Sequence, residues 1–528
     1  MYGPLRLRGT PASEGYAEGP LFCLDDEIAR YTAKGSAAAE TDALKAAIEA
    51  ALEQLAVLAA ASTGDAADML EFQLAMLADD SLSGPAFDAI GAGAQADTAW
   101  SAALAVQIAG YEAADDEYFR ARAADLKDIR QQVLDALTSA GNRSAPRGAI
   151  LFGEDIAPTR FLATDWSAGG GIALSKGSSA SHVAMLARSR GVPMVVGLGN
   201  AAKDVAGLAL LDAEHGGIVL RPTEGDIEGF RKSSTAYGER RRRAEQGIMR
   251  PATTANNVPV RVLVNVADPA DVDRIDIASC DGVGLMRTEF LFGKELPDEE
   301  TQYRAYRKVL EWATDKPVTI RTIDAGGDKP VPDFTVEEGN PFLGLRGIRL
   351  SLARLEVFRA QIRALLRAAV HGNLKVMFPM ISVPEEYAGA VALFAEEAKN
   401  LAEAGHPHAV PPLGIMVEVP SVAIAPELFA NVAFFSIGSN DLTQYVMAAA
   451  RDNTAVAKLN SVTNPAVLRL IAAVAGFGRL RDIPVSLCGD AGGDATAIPH
   501  LLKAGLRDLS VAPAQLALAK AAIAAVTV

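Results

Sequence analysis

Residues 413–441 read LGIMVEVPSVAIAPELFANVAFFSIGSND, a stretch that contains the unit from which the second half of the chain is built. Its two apolar runs, LGIMVEV and FFSIGSND, carry acidic residues at their ends, Glu418 and Asp441. Short apolar runs indicate buried strands, and strands that alternate with helical segments indicate parallel βαβ units. The stretch therefore predicts two neighbouring parallel strands whose carboxyl ends carry acidic side chains.

Similar apolar runs recur from residue 258 toward the end of the chain. We expect an eighth strand near residues 342–348. Eight such units in about 270 residues predict a (β/α)8 TIM barrel, in which side chains at the carboxyl ends of the strands build the active site. The seven clearer candidate strands span residues 260–266, 282–286, 318–324, 375–381, 413–419, 434–441 and 484–490.

The chain before the barrel combines a helical pattern with an α/β pattern. Residues 36–140 predict a small bundle of helices, with breaks near Gly84-Pro85 and Gly91–Gly93. From residue 148, short apolar strands alternate with glycine-rich turns, which predicts an α/β domain. The strand-like run Gly19–Leu24 could join that sheet, and the helices would then be an insertion. The helical stripes are Leu44, Ile48, Leu52 and Leu55; Met69, Phe72, Met76 and Leu77; and Leu126, Ile129, Val133 and Leu137.

These patterns predict a multidomain α/β chain. Residues 1–24 and 143–222 would form the α/β domain, residues 25–142 the helical insert, and residues 251–528 the barrel. Residues 223–250 are highly charged and include four consecutive arginines. They could be a nucleic-acid patch, but the acidic residues around them favour a solvated connecting helix.

Composition excludes several classes of function. The chain has 528 residues, a net charge of −15 and only three cysteines, Cys23, Cys280 and Cys488. An acidic surface disfavours nucleic acid as a partner, and three cysteines at this spacing fit neither a disulfide framework nor a zinc site. No apolar run is long enough to cross a bilayer, and the N-terminus lacks a secretory signal. We expect a cytoplasmic protein without a membrane or nucleic-acid partner.

Four charged residues follow strands of the predicted barrel. Arg287 and Arg321 follow neighbouring strands, and paired guanidinium groups suit a phosphate or a carboxylate. Glu418 ends one later strand and Asp441 ends the strand after it, and two carboxylates from adjacent strands could hold Mg²⁺ while leaving room for substrate oxygens. The alternative is that each carboxylate forms a salt bridge with an arginine. Four such residues at one end of a barrel favour a binding site.

Cys488 lies in LCGD at the end of the last candidate strand. A lone cysteine is often a small buried apolar residue, but at the mouth of a barrel its thiol is a candidate proton donor. The chain contains no GxxxxGK[ST] motif. We therefore expect a phosphoryl donor other than ATP held on a P-loop.

One of the six histidines, His182, has a setting that suits an anion. The segment GSSASHVAMLAR at residues 177–188 predicts a glycine- and serine-rich loop that enters a short helix, which ends at Gly191. Free amide groups and the helix dipole at a helix N-terminus stabilise negative charge. His182 could thus be a nucleophile that becomes phosphorylated, or an incidental residue of a capped helix.

Taken in order, these motifs resemble those of Enzyme I, the phosphoenolpyruvate-protein phosphotransferase family of the sugar phosphotransferase system, over nearly the whole chain. In the helical part, DDEYFRARAADLKDIRQQVL at residues 115–134 is similar to the family's carrier-binding insert. The barrel motifs are GVGLMRTEFLF (282–292), IRTIDAGGDKP (320–330), NPFLGLRGIR (340–349), MFPMI (377–381), GIMVEVP (414–420), FFSIGSNDLTQY (434–445) and LCGDAGGD (487–494).

The resemblance implies a swivelling phosphohistidine domain with an inserted carrier-binding bundle, a linker helix and a barrel that forms a homodimer. His182 would be the phosphorylated residue, and Cys488 would protonate the enolate on the way to pyruvate. Glu418 and Asp441 would bind Mg²⁺, and Arg346 would line the site. Phosphoenolpyruvate would contact Arg287, Arg321, Asn440, Asp441 and Arg451. The partner would be a small phosphocarrier protein with an acceptor histidine, similar to HPr.

The chain departs from the family pattern in four places. The family usually has Thr at position 180, Asp at position 450, a Tyr and a His within residues 459–465, and His at position 73. Ala180 lacks the hydroxyl group that the family's threonine would provide. If this lack slows phosphorylation of His182, placing threonine at position 180 should raise the rate. The residues found at the departures are Ala180, Ala450, Asn460, Asn464 and Gln73.

Two other functions fit the same motifs. A dikinase shares the histidine domain and the barrel but carries a large ATP-binding region before them. In this chain only about 150 residues, with a helical and sheet pattern, stand in that place. A regulatory protein could keep phosphoenolpyruvate binding and lose turnover, as the departures suggest. Release of pyruvate from phosphoenolpyruvate, with and without nucleotide, would separate the three functions.

Overall fold

The computed structural model describes most of the chain in two compact units, Met1–Gly238 and Glu239–Val528. The described residues are 3–24, 31–60, 65–112, 117–138, 145–177, 181–199, 206–292, 296–327, 331, 334–336, 338–450 and 456–528.

The amino-terminal unit contains an eight-stranded mixed sheet with the order β1-β8-β7-β3-β4-β5-β6-β2. Strand β3 pairs in parallel with β4, although the whole helical segment lies between them in sequence. This confirms that the run at residues 19–24 joins the sheet. The strands are β1 Leu5–Arg8, β2 Thr10–Ser13, β3 Tyr16–Cys23, β4 Ile150–Gly153, β5 Gly171–Leu174, β6 Met194–Val196, β7 Leu208–Asp212 and β8 Gly217–Leu220.

Five helices, α1 to α5, lie between β3 and β4 and share one apolar core. Leu44, Leu55 and Leu126 are fully buried there, so the helical stripes face the core of the bundle. Helix α8 occupies the charged segment after β8. The helices of this unit are α1 Ala37–Ala60, α2 Asp65–Leu77, α3 Asp80–Gly91, α4 Ala96–Glu112, α5 Glu117–Thr138, α6 Pro158–Ala163 and α7 His182–Arg190, and α8 Glu224–Gln246 continues past the unit's last residue, Gly238.

One predicted break in the bundle is wrong. Pro85 lies inside helix α3, although proline removes a backbone donor and usually ends a helix. Leu82, Ala86 and Ile90 lie on one buried face of this helix. Tertiary packing of that face outweighs the local signal, as it does for most helices in proteins. The second predicted break is confirmed, because α3 ends at Gly91.

The carboxyl-terminal unit is a closed barrel of eight parallel strands with the order β10-β11-β12-β13-β14-β15-β16-β9. The seven clearer candidate strands are all present. The strands are β9 Arg261–Val266, β10 Val283–Met286, β11 Pro317–Arg321, β12 Asn373–Phe378, β13 Leu413–Val417, β14 Phe435–Ile437, β15 Val485–Leu487 and β16 Asp508–Val511.

The eighth strand was predicted in the wrong place. Residues 341–343 form a short 3-10 helix, and Gly347 adopts a left-handed φ of 59° before helix α10 begins. Strand β16 closes the barrel instead, and its residues Leu509 and Val511 pair with β9. This strand reads DLSV, so its two apolar residues are separated by a serine and form no apolar run that stands out in the sequence.

Helices surround the barrel as the repeated unit predicts. Among the described residues, no helix combines the length and apolar character needed to span a membrane. The helices of this unit are α9 Glu299–Ala313, α10 Ile348–Ala353, α11 Leu355–Ala368, α12 Pro384–Glu403, α13 Pro420–Ile424, α14 Ser439–Met447, α15 Pro465–Arg481, α16 Ile498–Lys503 and α17 Leu516–Ala524.

Candidate active site

Charged residues meet at the carboxyl ends of the barrel strands, on the side where TIM barrels build their active sites. Arg321 ends β11, Glu418 follows β13, and Asp441 lies in the first turn of α14, directly after β14. The sequence predicted these three side chains at this position. We use the name carboxyl rim for the group formed by Glu289, Arg321, Asp324, Arg346, Glu418 and Asp441.

Arg346 lies at the centre of the carboxyl rim. Its side chain is fully buried, and its guanidinium group donates to both oxygens of Asp324 at 3.0 Å. The same group donates to both oxygens of Asp441, at 2.9 and 3.2 Å. Burial opposes the charge of Arg346, but the two aspartates outweigh it and raise the pKa of Arg346. The bidentate pair with Asp324 holds Arg346 in place, and the bidentate pair with Asp441 fixes that carboxylate in one orientation.

Arg321 is the second buried arginine of the rim. Its guanidinium group pairs with Glu289 at 2.9 Å and with Asp324 at 3.0 Å. Burial opposes its charge, and Glu289, Asp324 and Glu418 together raise its pKa. Within the described part of the chain, Nε of Arg321 has no hydrogen-bond partner. A buried donor without an acceptor is costly, and a ligand oxygen would satisfy it.

Glu418 is a buried carboxylate in an unfavourable field. Its Oε1 accepts the amide of Met380 at 2.7 Å. Burial, followed by Asp441 and Asp324, raises the pKa of Glu418 to about 8. Met380 itself has a left-handed φ of 58°, and such strained backbone is common at functional sites.

The carboxyl rim fits a divalent cation bound by few protein ligands. A buried carboxylate whose pKa is raised by neighbouring carboxylates is stabilised by an added positive charge. A side chain at Gly438 would place its Cβ 3.0 Å from Oε2 of Glu418, so this glycine keeps the space beside the carboxylate open. No group of three or more acidic, histidine or cysteine residues suited to a metal occurs among the described residues. Mg²⁺ needs only one or two carboxylates, because water and substrate oxygens complete its shell.

Cys488 lies just below the rim, directly after β15. It is 3% exposed, and its Sγ donates to the carbonyl of Ile437 at 3.6 Å. Burial raises the pKa of Cys488 to about 11, although Ser436, Arg321 and Arg287 lower it. The residue is therefore a thiol at neutral pH. A thiol can donate a proton, whereas a thiolate could not.

The remaining predicted substrate ligands differ in how firmly they are held. The half-buried Arg287 follows β10, and no ion pair joins it to another described residue. Asn440 donates to Asp490 at 3.0 Å and accepts the Asp490 amide at 3.2 Å. Arg451 lies outside the described residues.

His182 is the first residue of helix α7 in the amino-terminal unit. The helix has the predicted boundaries, because the Oγ of Ser181 accepts the amide of Ala184 at 3.2 Å and Gly191 ends it with a left-handed φ of 65°. A helix N-terminus is a favourable place for a negatively charged group. Ala180, the departure next to it, lies outside the described residues.

Several polar atoms at the carboxyl rim and in the elements next to it lack partners. In the described part of the chain, the hydroxyl groups of Thr322, Ser439 and Thr443 are buried without a hydrogen bond, as is Nε of Arg321. Buried polar groups are normally paired with protein or water. Their concentration at this end of the barrel indicates a place where a polar ligand or ordered water completes the structure.

Sequence reasoning missed two members of this site. Glu289 accepts from Arg321 and from the amide of Asp324, and Tyr445 receives a hydrogen bond from Arg346 at 3.3 Å. The Tyr445 hydroxyl in turn donates to the carbonyl of Phe342 at 2.6 Å. Both residues lie inside motifs that carry the family resemblance, so their position in those motifs was the available signal.

Three departures from the family pattern have structural roles here. Asn464 caps helix α15 by accepting the amide of Ala466 at 2.9 Å. Asn460 donates to the carbonyl of Ala450 at 3.0 Å. Gln73 is fully buried in the helical bundle, where it donates to Asp125 and Asp128 at 3.3 Å.

Three family models match the chain in succession. The N-terminal domain of the PEP-utilising enzymes matches residues 8–122, and the mobile domain of these enzymes matches residues 145–216. The PEP-binding domain matches residues 241–528, which include the whole barrel. The order of the matches follows the order of the helical, α/β and barrel segments.

Curated relatives match over nearly the full length. A phosphoenolpyruvate-protein phosphotransferase of Priestia megaterium is 36% identical over 98% of this chain and 93% of its own length. Proteins of the same name from Listeria innocua and Staphylococcus aureus are 35% and 33% identical, each over 96% of this chain and 91% of the relative.

Proposed function

The chain belongs to the phosphoenolpyruvate-protein phosphotransferase family, and from this premise we propose that His182 takes the phosphoryl group of phosphoenolpyruvate and passes it to a histidine of a small, HPr-like carrier protein. The observation that carries the proposal is the carboxyl rim, where a buried arginine with an unpaired Nε adjoins the buried carboxylates Glu418 and Asp441. This combination suits a small anion that bears both a phosphate and a carboxylate.

The arginines would bind the substrate. Arg321 offers Nε, and Arg287 offers a guanidinium group that no described residue neutralises. Asn440 and Arg451 would add polar contacts. Because Glu289 and Asp324 hold the guanidinium group of Arg321 in place, this residue would bind without first ordering its side chain.

Glu418 and Asp441 would hold Mg²⁺. When bound, the ion would offset the negative charge of the phosphate and carboxylate oxygens of the substrate. The role of the chain is to keep both carboxylates oriented, Asp441 through Arg346 and Glu418 through the amide of Met380.

His182 would attack the phosphorus atom as a neutral imidazole, and the bond from phosphorus to the enol oxygen would break. The product is the enolate of pyruvate, which needs one proton at C3 to become pyruvate. Cys488 would supply it, because its thiol keeps its proton at neutral pH. The S–H bond would break as the C3–H bond forms, and a thiolate would remain.

The proposed domains follow from the separate positions of His182 and of the substrate site in the barrel. Residues 1–24 and 143–222 would form a swivelling phosphohistidine domain, residues 25–142 the carrier-binding insert, residues 223–250 a linker, and residues 251–528 the substrate-binding and dimerisation domain. We also propose that the protein works as a cytoplasmic homodimer without a membrane or nucleic-acid partner, as the family resemblance and the acidic composition suggest.

The test is the intact mass of the purified protein after incubation with Mg²⁺ and phosphoenolpyruvate without nucleotide. We expect one acid-labile phosphoryl adduct, with release of pyruvate, and no adduct on His182→Ala. His215→Ala is the matched control, because His215 is an exposed histidine of the same unit that pairs with Asp212. Binding without an adduct would indicate the regulatory function, and an adduct that needs nucleotide would indicate a dikinase.

A further inference from the structure

A line of hydroxyl groups runs through the interior of the barrel below Cys488. Strands β14 and β15 are parallel neighbours, and Ser436 is the register partner of Ser486. Side chains alternate between the two faces of a strand, so Ser486 and Cys488, two residues apart, point to the same side. Ser436 is fully buried. The three side chains therefore form a short ladder inside the barrel.

Short contacts connect the members of this ladder. The Ser486 hydroxyl donates to the Ser436 oxygen at 3.2 Å. Cys488 lies next to this pair, because its amide donates to the carbonyl of Ile437, the residue after Ser436, at 3.0 Å. The Ser436 side chain also acts to lower the pKa of the thiol. The polar groups thus run from Ser486 through Ser436 to the sulfur atom.

Apolar side chains fill the remaining space around the sulfur. Cys488 forms one buried cluster with Leu285, Met377, Met416 and Phe434. None of these four side chains can carry a proton. The carbonyl of Ile437 accepts from the thiol but has no proton to give. Among the described neighbours of the sulfur, the serine pair is therefore the group that can return a proton from the lower part of the barrel interior.

The lower end of the ladder opens to a recess at the amino-terminal ends of the strands. Arg261 and Asp508, which line it, are the first residues of β9 and β16. The recess offers about 30 Å³ to the centres of water molecules, which is room for about two waters. Its lining includes Arg261, Thr319, Lys375, Phe434, Ser486 and Asp508.

We propose that Ser486 and Ser436 form a proton relay that returns a solvent proton from the recess to Cys488 after each protonation of the enolate. The inference rests on the proposed role of Cys488 as proton donor. It assigns the two serines as positioning and relay residues, and it places proton entry at the end of the barrel opposite the substrate.

The relay balances in protons. After C3 of the enolate takes the thiol proton, the thiolate takes a proton from the Ser436 hydroxyl. Ser436 takes one from Ser486, and Ser486 takes one from water in the recess. Each pyruvate formed thereby consumes one solvent proton, and the three side chains return to their starting state. Joined hydroxyl groups can pass a proton in this way without a charged intermediate on either serine.

The relay can be tested without a carrier protein by running the reaction in both directions. The protein, Mg²⁺, phosphoenolpyruvate and carbon-labelled pyruvate are incubated in D₂O. Transfer of the carbon label into phosphoenolpyruvate measures the exchange, and mass spectrometry of pyruvate measures deuterium in its methyl group. With a working relay, the proton that Cys488 takes from pyruvate is replaced by a solvent deuteron before it returns to carbon.

We expect Ser436→Ala and Ser486→Ala to lower the ratio of deuterium incorporation to carbon exchange by about tenfold, because the sulfur keeps the pyruvate proton. Ser486→Thr should restore the ratio. Ser510→Ala is the matched control, because Ser510 is a barrel serine as buried as Ser436 that donates to Asn265 at 2.6 Å. Asn265 in turn donates to the backbone carbonyl of Cys488 and not to its sulfur. The ratio in Ser510→Ala should equal that of the wild type.

The outcomes separate the relay from the function on which it rests. A wild-type ratio in both alanine variants would overturn the relay and leave the function intact. An equal fall in Ser510→Ala would also overturn it, because the effect would then be general loosening of the barrel. No carbon exchange in the wild-type protein would overturn the proposed function, and the relay with it. The two alanine variants remove adjacent links, so either one that folds is sufficient.

Discussion

The carboxyl rim of the barrel and the contact between helices α5 and α6 both bury a carboxyl group, but they surround it differently. At the rim, Glu418 adjoins two other carboxylates, and arginines only partly offset them. Between α5 and α6, Asp128 has no arginine partner in the described chain. It accepts the Thr159 hydroxyl at 2.6 Å, and it also accepts Gln132 and Gln73.

The Asp128 contact serves the fold of the amino-terminal unit. Ala157, at the N-cap position of α6, has no side chain to cap the helix. Asp128 also accepts the amide of Thr159 at 3.4 Å and so caps α6 from a neighbouring helix. A carboxyl group surrounded by donors completes a structure. Carboxylates that face one another, as at the rim, instead retain an attraction for a cation.

The largest effect should come from Glu418→Gln. This change removes one carboxylate of the proposed ion site, and we expect pyruvate release to fall roughly 10³-fold. The melting temperature without Mg²⁺ should stay equal or rise, because glutamine does not carry the unfavourable buried charge. Initial rates of pyruvate release and a thermal melt followed by circular dichroism measure the two quantities.

Glu397→Gln is the control, because Glu397 is a buried glutamate that adjoins arginines, whereas Glu418 adjoins other carboxylates. Glu397 lies on α12 and pairs with Arg363 at 3.2 Å. Burial works against its charge, but Arg359 and Arg363 hold its pKa below the usual range. We expect about 1–2 kcal/mol less stability and unchanged activity. A loss of activity in this variant would show that the rim effect was not specific.

Asp128→Ala should produce the next largest effect, in stability rather than in chemistry. It leaves the hydroxyl and amide of Thr159 without their acceptor inside the protein, at a cost of about 3 kcal/mol. Asp128→Asn should lose less stability, because the asparagine oxygen still accepts hydrogen bonds. Its new amide group can also reach toward Oε1 of Gln73, a buried atom that has no partner among the described residues. Urea unfolding of the amino-terminal unit measures the free energy of unfolding of each variant. Equal losses in Asp128→Ala and Asp128→Asn would contradict this account.

The stability of the same contact should depend on pH. Burial raises the pKa of Asp128 in spite of its hydrogen bonds. A group whose pKa is higher in the folded state contributes stability that is complete below the pKa of the unfolded chain. It loses that contribution as the pH rises through the folded value.

The free energy of unfolding of the wild type, minus that of Asp128→Asn, should therefore fall as the pH rises above the ordinary carboxyl range. Its steepest slope should be about 1.4 kcal/mol per pH unit. Unfolding curves at a series of pH values provide this difference. A difference that increased with pH would mean that the hydrogen bonds outweigh burial.

The smallest effect should come from Gln73→Leu. The change removes two hydrogen bonds of 3.3 Å and also removes the unpaired Oε1. These contributions oppose each other, so we expect a change in stability within about 1 kcal/mol. A much larger loss in chemical denaturation would show that Gln73 is essential to the Asp128 contact.

The sequence by itself determined the architecture and most of the site. Seven barrel strands, the insertion of the helices and the ends of helix α7 depend on short apolar runs, glycines and caps, which act between residues close in the chain. Arg321, Glu418, Asp441 and Cys488 were predicted because polar residues directly after barrel strands share one end of the fold.

Only the tertiary structure decided the features that depend on contacts between distant segments. Strand β16 is recognised by its pairing with β9, and α3 continues past Pro85 because its buried face packs in the bundle. Arg346 bridges residues of two different strand ends, and Ser486 meets Ser436 through the register of two strands. Such contacts depend on which surfaces meet in three dimensions, because burial and register arise between elements and leave no periodic signal within any one of them.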